Sequence, residues 1–257
     1  MSEKHITITI DNKGIGTITL NRPDKHNALN DMTIQQLTQT FNDFNNDNTI
    51  ACIVLKANGE NFSAGADLQW MQKMVNFTEE ENIYDALQLS KLFQTMYETD
   101  KPIVAQVQGK TFGGSIGLLA CSDAVIVSED AEFCFSEVKY GLIPATIAPF
   151  IVNAIGERHA RYYFLTAEPF NSQTALIIGL AQRIVTRDQL DEASKQLAEK
   201  IIPHSQPAIG AAKQLLRRLT PISKDITKET ARIIAELRTS PEAQKRLKAF
   251  TTKVKKP

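Results

Sequence analysis

A glycine cluster between an apolar strand and a short apolar helix constrains this chain more than any other segment. The run Ile103–Val107 has the length and β-branching of a buried strand, and residues 116–121 are predicted to form a short buried helix. The cluster consists of Gly109, Gly113, Gly114 and Gly117. Because glycine lets other groups approach the backbone closely, such a junction can direct N–H groups at a developing negative charge. A tight turn that packing requires would use the same residues.

A carboxylate follows the glycines in an otherwise apolar, strand-like run, residues 133–138, with the sequence Phe-Cys-Phe-Ser-Glu-Val. The ordinary interpretation of Glu137 is a residue at a strand edge that faces solvent. Beside the glycine cluster, it also suggests an acid/base next to an anion hole. The two features together therefore predict a catalytic site.

Composition and charge exclude several other classes. The chain has 257 residues, of which 42% are hydrophobic and 23% charged, as is typical of a soluble globular protein. The formal net charge is zero, which gives no electrostatic case for nucleic acid or a membrane surface as partner. No apolar run reaches the ~20 residues that span a bilayer, and the first residues lack a signal or transit pattern. We therefore expect a cytoplasmic protein.

Cysteine and histidine usage argues against metal and disulfide chemistry. The three cysteines are odd in number and widely spaced in apolar runs, which predicts buried reduced thiols. The four histidines have no ligand spacing. No metal site is expected.

The order of predicted elements indicates an α/β region followed by helices only. Residues 5–10 and 15–20 are predicted to form a hairpin, and 51–57 a buried strand. A second junction of small residues, 62–67, lies between that strand and a helix. From about residue 189 the pattern is helical, with prolines at the element ends. We divide the chain into a core, residues 1–200, and a C-terminal helical region, residues 201–257.

Four segments resemble the crotonase, or enoyl-CoA hydratase/isomerase, superfamily. They are Asn-Arg-Pro-Asp-Lys-His-Asn-Ala-Leu at 21–29, Phe-Ser-Ala-Gly-Ala-Asp-Leu at 62–68, the glycines of 108–114, and residues 135–144 around Glu137. Each motif is weak alone, but the four in this order are specific. The resemblance implies an α/β fold, a spiral of ββα units with a C-terminal α-helical region that packs in homotrimers, often paired as homohexamers.

The resemblance also implies an acyl-CoA thioester substrate and a set of site residues. The N–H groups of Ala66 and Gly114 would form an oxyanion hole for the thioester carbonyl, and Glu137 matches the second of two catalytic glutamates in typical hydratases. Coenzyme A is then part of the substrate, and no separate cofactor is implied. The residues implied around coenzyme A are Lys25, Ala28, Ala64, Asp67 and Leu68. From its position after the Ala-Gly-Ala turn, Asp67 is predicted to be a helix N-terminal residue rather than a catalytic acid.

The chain departs from the hydratase pattern at Gly117, where those enzymes carry their first glutamate. One carboxylate could still hydrate an enoyl-CoA by relaying a water proton, or isomerise its double bond without water. The segment 136–149 resembles bacterial methylglutaconyl-CoA hydratases of leucine degradation, which favours hydration of a branched or carboxylated enoyl-CoA. The alternatives are a Δ3,Δ2-enoyl-CoA isomerase and a CoA-thioester binding protein without activity.

A carboxylated acyl group would need a cationic partner, because burying an unpaired carboxylate is costly. Lys139 is the predicted partner, since residues two apart in a strand lie on the same side. A lysine that faces solvent from a loop is the competing interpretation.

Overall fold

The computed structural model describes residues 4–253 and contains two sheets. The strands are β1 Ile6–Ile10, β2 Ile15–Leu20, β3 Cys52–Ala57, β4 Ile103–Val107, β5 Lys110–Phe112, β6 Ala124–Ser128, β7 Glu132–Cys134, β8 Phe170–Asn171 and β9 Arg183–Val185. The larger sheet has the order β1-β2-β3-β4-β6-β9, and the smaller has β5-β7-β8. Strands β1 and β2 form the predicted antiparallel hairpin, and the rest of the larger sheet is parallel.

Ten helices surround the sheets in the described range. They are α1 Asp31–Asn46, α2 Leu68–Met74, α3 Glu79–Glu98, α4 Ile116–Ala120, α5 Ala148–Thr166, α6 Ser172–Ile177, α7 Leu190–Ile201, α8 Gln206–Leu219, α9 Lys224–Thr239 and α10 Pro241–Lys253. Their starts follow local chemistry. The Asn30 side chain accepts the N–H of Thr33 at the start of α1, and Thr78 with Glu81 forms the predicted capping box of α3.

Two successive ββα units generate the predicted spiral. In the first unit (β4, β5, α4) and the second (β6, β7, α5), the leading strand enters the larger sheet and the following strand enters the smaller one. Strand β4 therefore pairs with β6 in parallel, and β5 pairs with β7 in parallel. The central strand β4 is buried throughout, as its apolar run predicts. The α/β spiral with a helical C-terminal region is confirmed.

The C-terminal helices fold back onto the spiral. Helix α9 packs against α3, while α10 packs against α2 and the turn at residues 137–140. Two ion pairs connect α8 to the segments around Asp100 and Asp123. Lys213 Nζ lies 2.5 Å from Asp123 Oδ2, and Arg217 Nη2 lies 2.6 Å from Asp100 Oδ1. The three cysteines are buried and free, as predicted.

The prediction that Glu137 lies in a strand is wrong. Strand β7 ends at Cys134, and residues Glu137–Tyr140 form a 3-10 turn. The turn ends at Gly141, whose φ of +73° is a conformation that favours glycine. A β-carbon at Gly141 would lie 3.1 Å from the Cα of Ala243, so α10 rests directly on this turn. Strands β5 and β8, which are two or three residues long, were not predicted from sequence.

Neither a membrane-spanning helix nor a metal-binding group is found among the described residues. Between residues 4 and 253, no helix combines the length and apolarity needed to cross a bilayer. In the same range, no three or more His, Cys, Asp or Glu side chains are grouped so that they could hold a metal ion.

Candidate active site

A cavity of about 1190 Å³ opens where the two glycine junctions, the turn at 137–140 and helices α2, α9 and α10 meet. Every site residue predicted from the sequence lines it. These residues are Lys25, Ala28, Ala64, Ala66, Asp67, Leu68, Gly114, Glu137 and Lys139. The fold thus brings together segments that are far apart in the chain.

Backbone pairing holds the two glycine junctions against each other. The N–H of Ser63 donates to the Lys110 carbonyl (3.1 Å), and the N–H of Phe112 donates to the Ser63 carbonyl (3.0 Å). Gly65, with φ at +95°, passes so close that a β-carbon there would lie 2.8 Å from the Phe112 carbonyl oxygen. Only glycine permits this approach, which places the turn after Gly65 beside the turn at residues 113–115.

The N–H groups of Ala66 and Gly114 are left unpaired. Leu29 and Ala66 form an isolated parallel bridge. The N–H of Leu29 donates to the Gly65 carbonyl, and the N–H of Asp67 donates to the Leu29 carbonyl. This pattern leaves the N–H of Ala66 without a partner in the bridge. Gly114 is the second residue of a 3-10 turn, Gly113–Ser115, so its N–H has no partner within the turn. Neither donates to an acceptor in the part of the chain that the structure describes. Two free donors from adjacent turns are what a developing oxyanion requires.

The carboxyl of Glu137 lies next to the glycine turn at residues 113–115. A β-carbon at Gly113 would lie 3.3 Å from Glu137 Oε1. The residue is partly exposed as a whole, but its Oε2 is buried without a hydrogen-bond partner. Burial raises the pKa of this carboxyl to about 7. A carboxyl that titrates near neutral pH beside two free N–H groups can act as both acid and base.

The raised pKa of Glu137 predicts a pH-dependent loss of stability. The ordinary pKa is 4.5, so between that value and about 7 the folded chain holds a proton that the unfolded chain has released. The free energy of unfolding therefore falls as pH rises through this window, by up to about 3 kcal/mol. We expect the melting temperature of Glu137→Gln to exceed that of the natural chain by a margin that grows between about pH 5 and pH 8. A constant margin would contradict the buried, unpartnered carboxyl.

The position of the missing glutamate is filled by apolar side chains. A β-carbon at Gly117 would lie 2.5 Å from Ile147 Cγ2 and 2.7 Å from Phe93 Cζ. Both side chains are fully buried, and Gly117 does not line the cavity. The packing of Ile147 and Phe93 therefore requires glycine at position 117 and leaves no space there for a second carboxylate.

Asp67 is a structural cap, as predicted from its place after the turn. Its Oδ1 accepts the N–H groups of Gln69 and Trp70 at the start of α2. Its Oδ2 pairs with Arg22 Nη2 at 2.9 Å, and the Arg22 Nη1 donates to the Ala28 carbonyl. The carboxylate has no free oxygen for chemistry, but it fixes the segment that carries Ala66.

Lys139 lines the cavity for a different reason from the one predicted. It lies in a 3-10 turn rather than a strand, and its side chain is exposed, with Nζ 3.7 Å from Cys134 Sγ. Three further exposed lysines line the same cavity. They are Lys25, Lys73 and Lys110.

The C-terminal helices contribute to the cavity, which the sequence pattern does not predict. Ile234 and Arg238 of α9 and Phe250 of α10 line it, with Trp70 of α2. The rings of Phe250 and Tyr140 lie 4.3 Å apart, which joins α10 to the turn that carries Glu137. Nothing in the helical periodicity of α9 or α10 distinguishes these residues from others on a packed helix face.

Comparisons with known proteins agree with this fold. The family model described as enoyl-CoA hydratase/isomerase matches residues 11–257. A solved Legionella pneumophila protein assigned as enoyl-CoA hydratase/isomerase (crotonase) is 43% identical, with a TM-score of 0.82 over 98% of both chains. A solved enoyl-CoA hydratase from Shewanella pealeana is 39% identical, with a TM-score of 0.82 over 97% of this chain and 94% of that one.

A Thermus thermophilus protein assigned as an enoyl-CoA hydratase is also similar. It is 31% identical over 212 residues, which cover 82% of this chain and 84% of that protein. The spiral fold and the paired glycine turns thus place the chain among the crotonases. It belongs to the enoyl-CoA hydratase/isomerase family.

Proposed function

We propose that the protein is an enoyl-CoA hydratase that adds water across the 2,3-double bond with a single acid/base, Glu137. The observation that carries the proposal is the buried, unpartnered Oε2 of Glu137 beside Gly113, in a carboxyl with a pKa of about 7. The ionised form can accept a proton, and the protonated form can return it.

In the proposed reaction, the N–H groups of Ala66 and Gly114 donate to the thioester carbonyl oxygen. This polarises the double bond and makes the β-carbon electrophilic. Glu137 takes a proton from water as the water oxygen bonds to Cβ, and the electron pair of the double bond moves to the carbonyl oxygen as an enolate. Glu137 then returns the proton to Cα. Each N–H donor at such an oxyanion contributes about 3–4 kcal/mol in enzymes where one has been removed.

The four exposed lysines of the cavity wall support coenzyme A as the carrier of the acyl group. Coenzyme A carries three phosphate groups and hence a high negative charge. This charge suits a cavity that is lined by four exposed lysines, among them Lys25. Ala28 and Ala64 offer small side chains beside them. No cofactor other than the coenzyme A of the substrate takes part in the proposed reaction.

We further propose a branched or carboxylated acyl group, such as 3-methylglutaconyl-CoA. The resemblance of segment 136–149 to methylglutaconyl-CoA hydratases supports it. Isomerisation is the second candidate, because the apolar packing at Gly117 excludes a second glutamate there, and Glu137 alone is enough to move a proton between two carbons.

Product analysis tests the proposal with a panel of enoyl-CoA thioesters that includes 3-methylglutaconyl-CoA. We expect loss of the conjugated-thioester absorbance and formation of a 3-hydroxyacyl-CoA. A shifted double bond in a 3-enoyl-CoA, with no added water in any member, would establish isomerisation instead. No turnover with any thioester would leave a binding protein and refute both reactions.

We also propose self-association as a homotrimer or homohexamer. Helix α8 exposes Leu215, Leu216 and Leu219, which are 57–69% accessible in the single chain. Large apolar side chains in a row on one helix are typical of subunit contacts. We expect light scattering to give three or six times the chain mass, and Leu216→Glu with Leu219→Glu to lower it. A monomeric natural chain would contradict the proposal.

A further inference from the structure

Two buried atoms of the cavity wall lack a hydrogen-bond partner, and one of them has no part in the proposed reaction. In residues 4–253, eight buried side-chain nitrogen or oxygen atoms are without a partner. Only Glu137 Oε2 and Arg238 Nε belong to residues that line the cavity. The Arg238 atom is the only nitrogen of the set. A buried donor without an acceptor is costly, so it requires an explanation.

Arg238 is held firmly in place. It is 7% exposed, and it is the only buried arginine or lysine in the described range. Its Nη1 donates to Asp85 Oδ2 at 2.8 Å, and the Trp70 side chain also bonds to Asp85. Gln244 donates to the Arg238 carbonyl at 2.7 Å, which fixes the end of α9. The guanidinium is therefore anchored on one side only, with Nε uncommitted.

The surroundings of this guanidinium suit an oxygen ligand. Trp70 shares Asp85 with Arg238, Ile234 lies one helical turn before it, and both line the cavity. An apolar setting strengthens a hydrogen bond that does form. Guanidinium presents its donors in a planar fork that matches a carboxylate. Burial raises the pKa of the Asp85 carboxyl, and the charge and hydrogen bond of Arg238 oppose this rise.

We propose that Arg238 determines acyl specificity by binding a carboxylate at the far end of the acyl chain. This rests on the proposed acyl-CoA function and deepens it, because it assigns the substrate class to a named residue. Arg238 is a stronger candidate than Lys139, because Lys139 is exposed and its ammonium is a strongly hydrated point charge rather than a planar fork. The Nε–H that the folded chain leaves without an acceptor would gain one from the ligand.

Binding of two saturated thioesters tests this without any turnover. 3-Methylglutaryl-CoA and isovaleryl-CoA have the same branched skeleton and differ by the carboxylate. Calorimetry is expected to show that the natural chain prefers the carboxylated thioester by about tenfold or more, which corresponds to 1.4 kcal/mol. Arg238→Lys keeps a charge for Asp85 but removes the fork, and we expect it to lose this preference.

Matched variants separate recognition from folding. Arg217→Lys changes another arginine paired with an aspartate, Asp100, outside the cavity, and it should keep the preference. If Arg238→Lys fails to fold in a melting experiment, Asp85→Asn with Arg238→Gln replaces the ion pair by a neutral one and should also lose the preference. Failure to hydrate any thioester would refute the proposed reaction but leave this binding test intact.

Two results would overturn the assignment of Arg238. One is equal binding of the two thioesters by the natural chain. The other is a preference that survives Arg238→Lys but disappears in Lys139→Met, which would assign the carboxylate to Lys139.

Discussion

Glu137→Gln is expected to lower kcat for hydration by about 10²–10⁴-fold, the range that general acid/base catalysis contributes. Glutamine has nearly the same shape, but it cannot take a proton from water or return one to Cα. Neither Asp67 nor residue 117 can replace it, because Asp67 is occupied by α2 and Arg22, and Gly117 has no side chain. The loss is measured by following the absorbance of the conjugated thioester in stopped-flow or steady-state assays.

The same variant is expected to bind saturated acyl-CoA as well as the natural chain does. The oxyanion donors at Ala66 and Gly114 belong to the backbone and are unchanged by it. A loss of binding together with activity would indicate a collapsed site rather than a missing acid/base. Activity close to that of the natural chain would show that Glu137 does not carry the proton.

Gly117→Glu is expected to destabilise the fold rather than restore a second catalytic carboxylate. Its β-carbon would overlap Ile147 and Phe93, at 2.5 and 2.7 Å. The carboxylate would lie in an apolar region with no partner in reach. Overpacking costs about 1–3 kcal/mol, and burial of an unpaired charge adds several more. We expect this variant to unfold at a much lower temperature, and to show no gain in hydration.

Alanine variants test the packing around Gly117 without adding a charge. Gly117→Ala introduces only the clashing β-carbon and is expected to cost about 1–3 kcal/mol. At Gly114 and Gly210, a β-carbon would come no closer than 3.8 and 3.4 Å to its neighbours, so alanine at either position should leave the melting temperature nearly unchanged. Equal stability of Gly117→Ala and Gly210→Ala would contradict the packing described around Gly117.

Features that depend on neighbouring residues in the chain were predictable from sequence. The β1–β2 hairpin, the Thr78–Glu81 capping box and the Asn30 cap each rest on contacts within a few residues. The two small-residue junctions were recognisable because their glycines are required by backbone geometry. Their pairing was implied by the family resemblance, and the bonds between Ser63 and Phe112 explain it.

Features that depend on distant segments were not predictable in the same way. The apolar run at 133–138 predicts a strand that includes Glu137, but strand β7 ends at Cys134, and a turn that ends at Gly141 and packs against α10 follows. The sequence shows that residue 117 is glycine, yet only the packing of Phe93 and Ile147 explains why. Arg238 looks like any arginine on an amphipathic helix until α9 is placed against α3 and the cavity.

The central claim is that one carboxylate, Glu137, adds water to an enoyl-CoA held by two backbone N–H groups. Mass spectrometry of the product formed in ¹⁸O-labelled water tests it most directly, with the natural chain and Glu137→Gln compared side by side. The account predicts that the natural chain forms a 3-hydroxyacyl-CoA that has gained one labelled water, and that Glu137→Gln forms almost none. A product of unchanged mass with a moved double bond, or labelled product from both chains at the same rate, would contradict it.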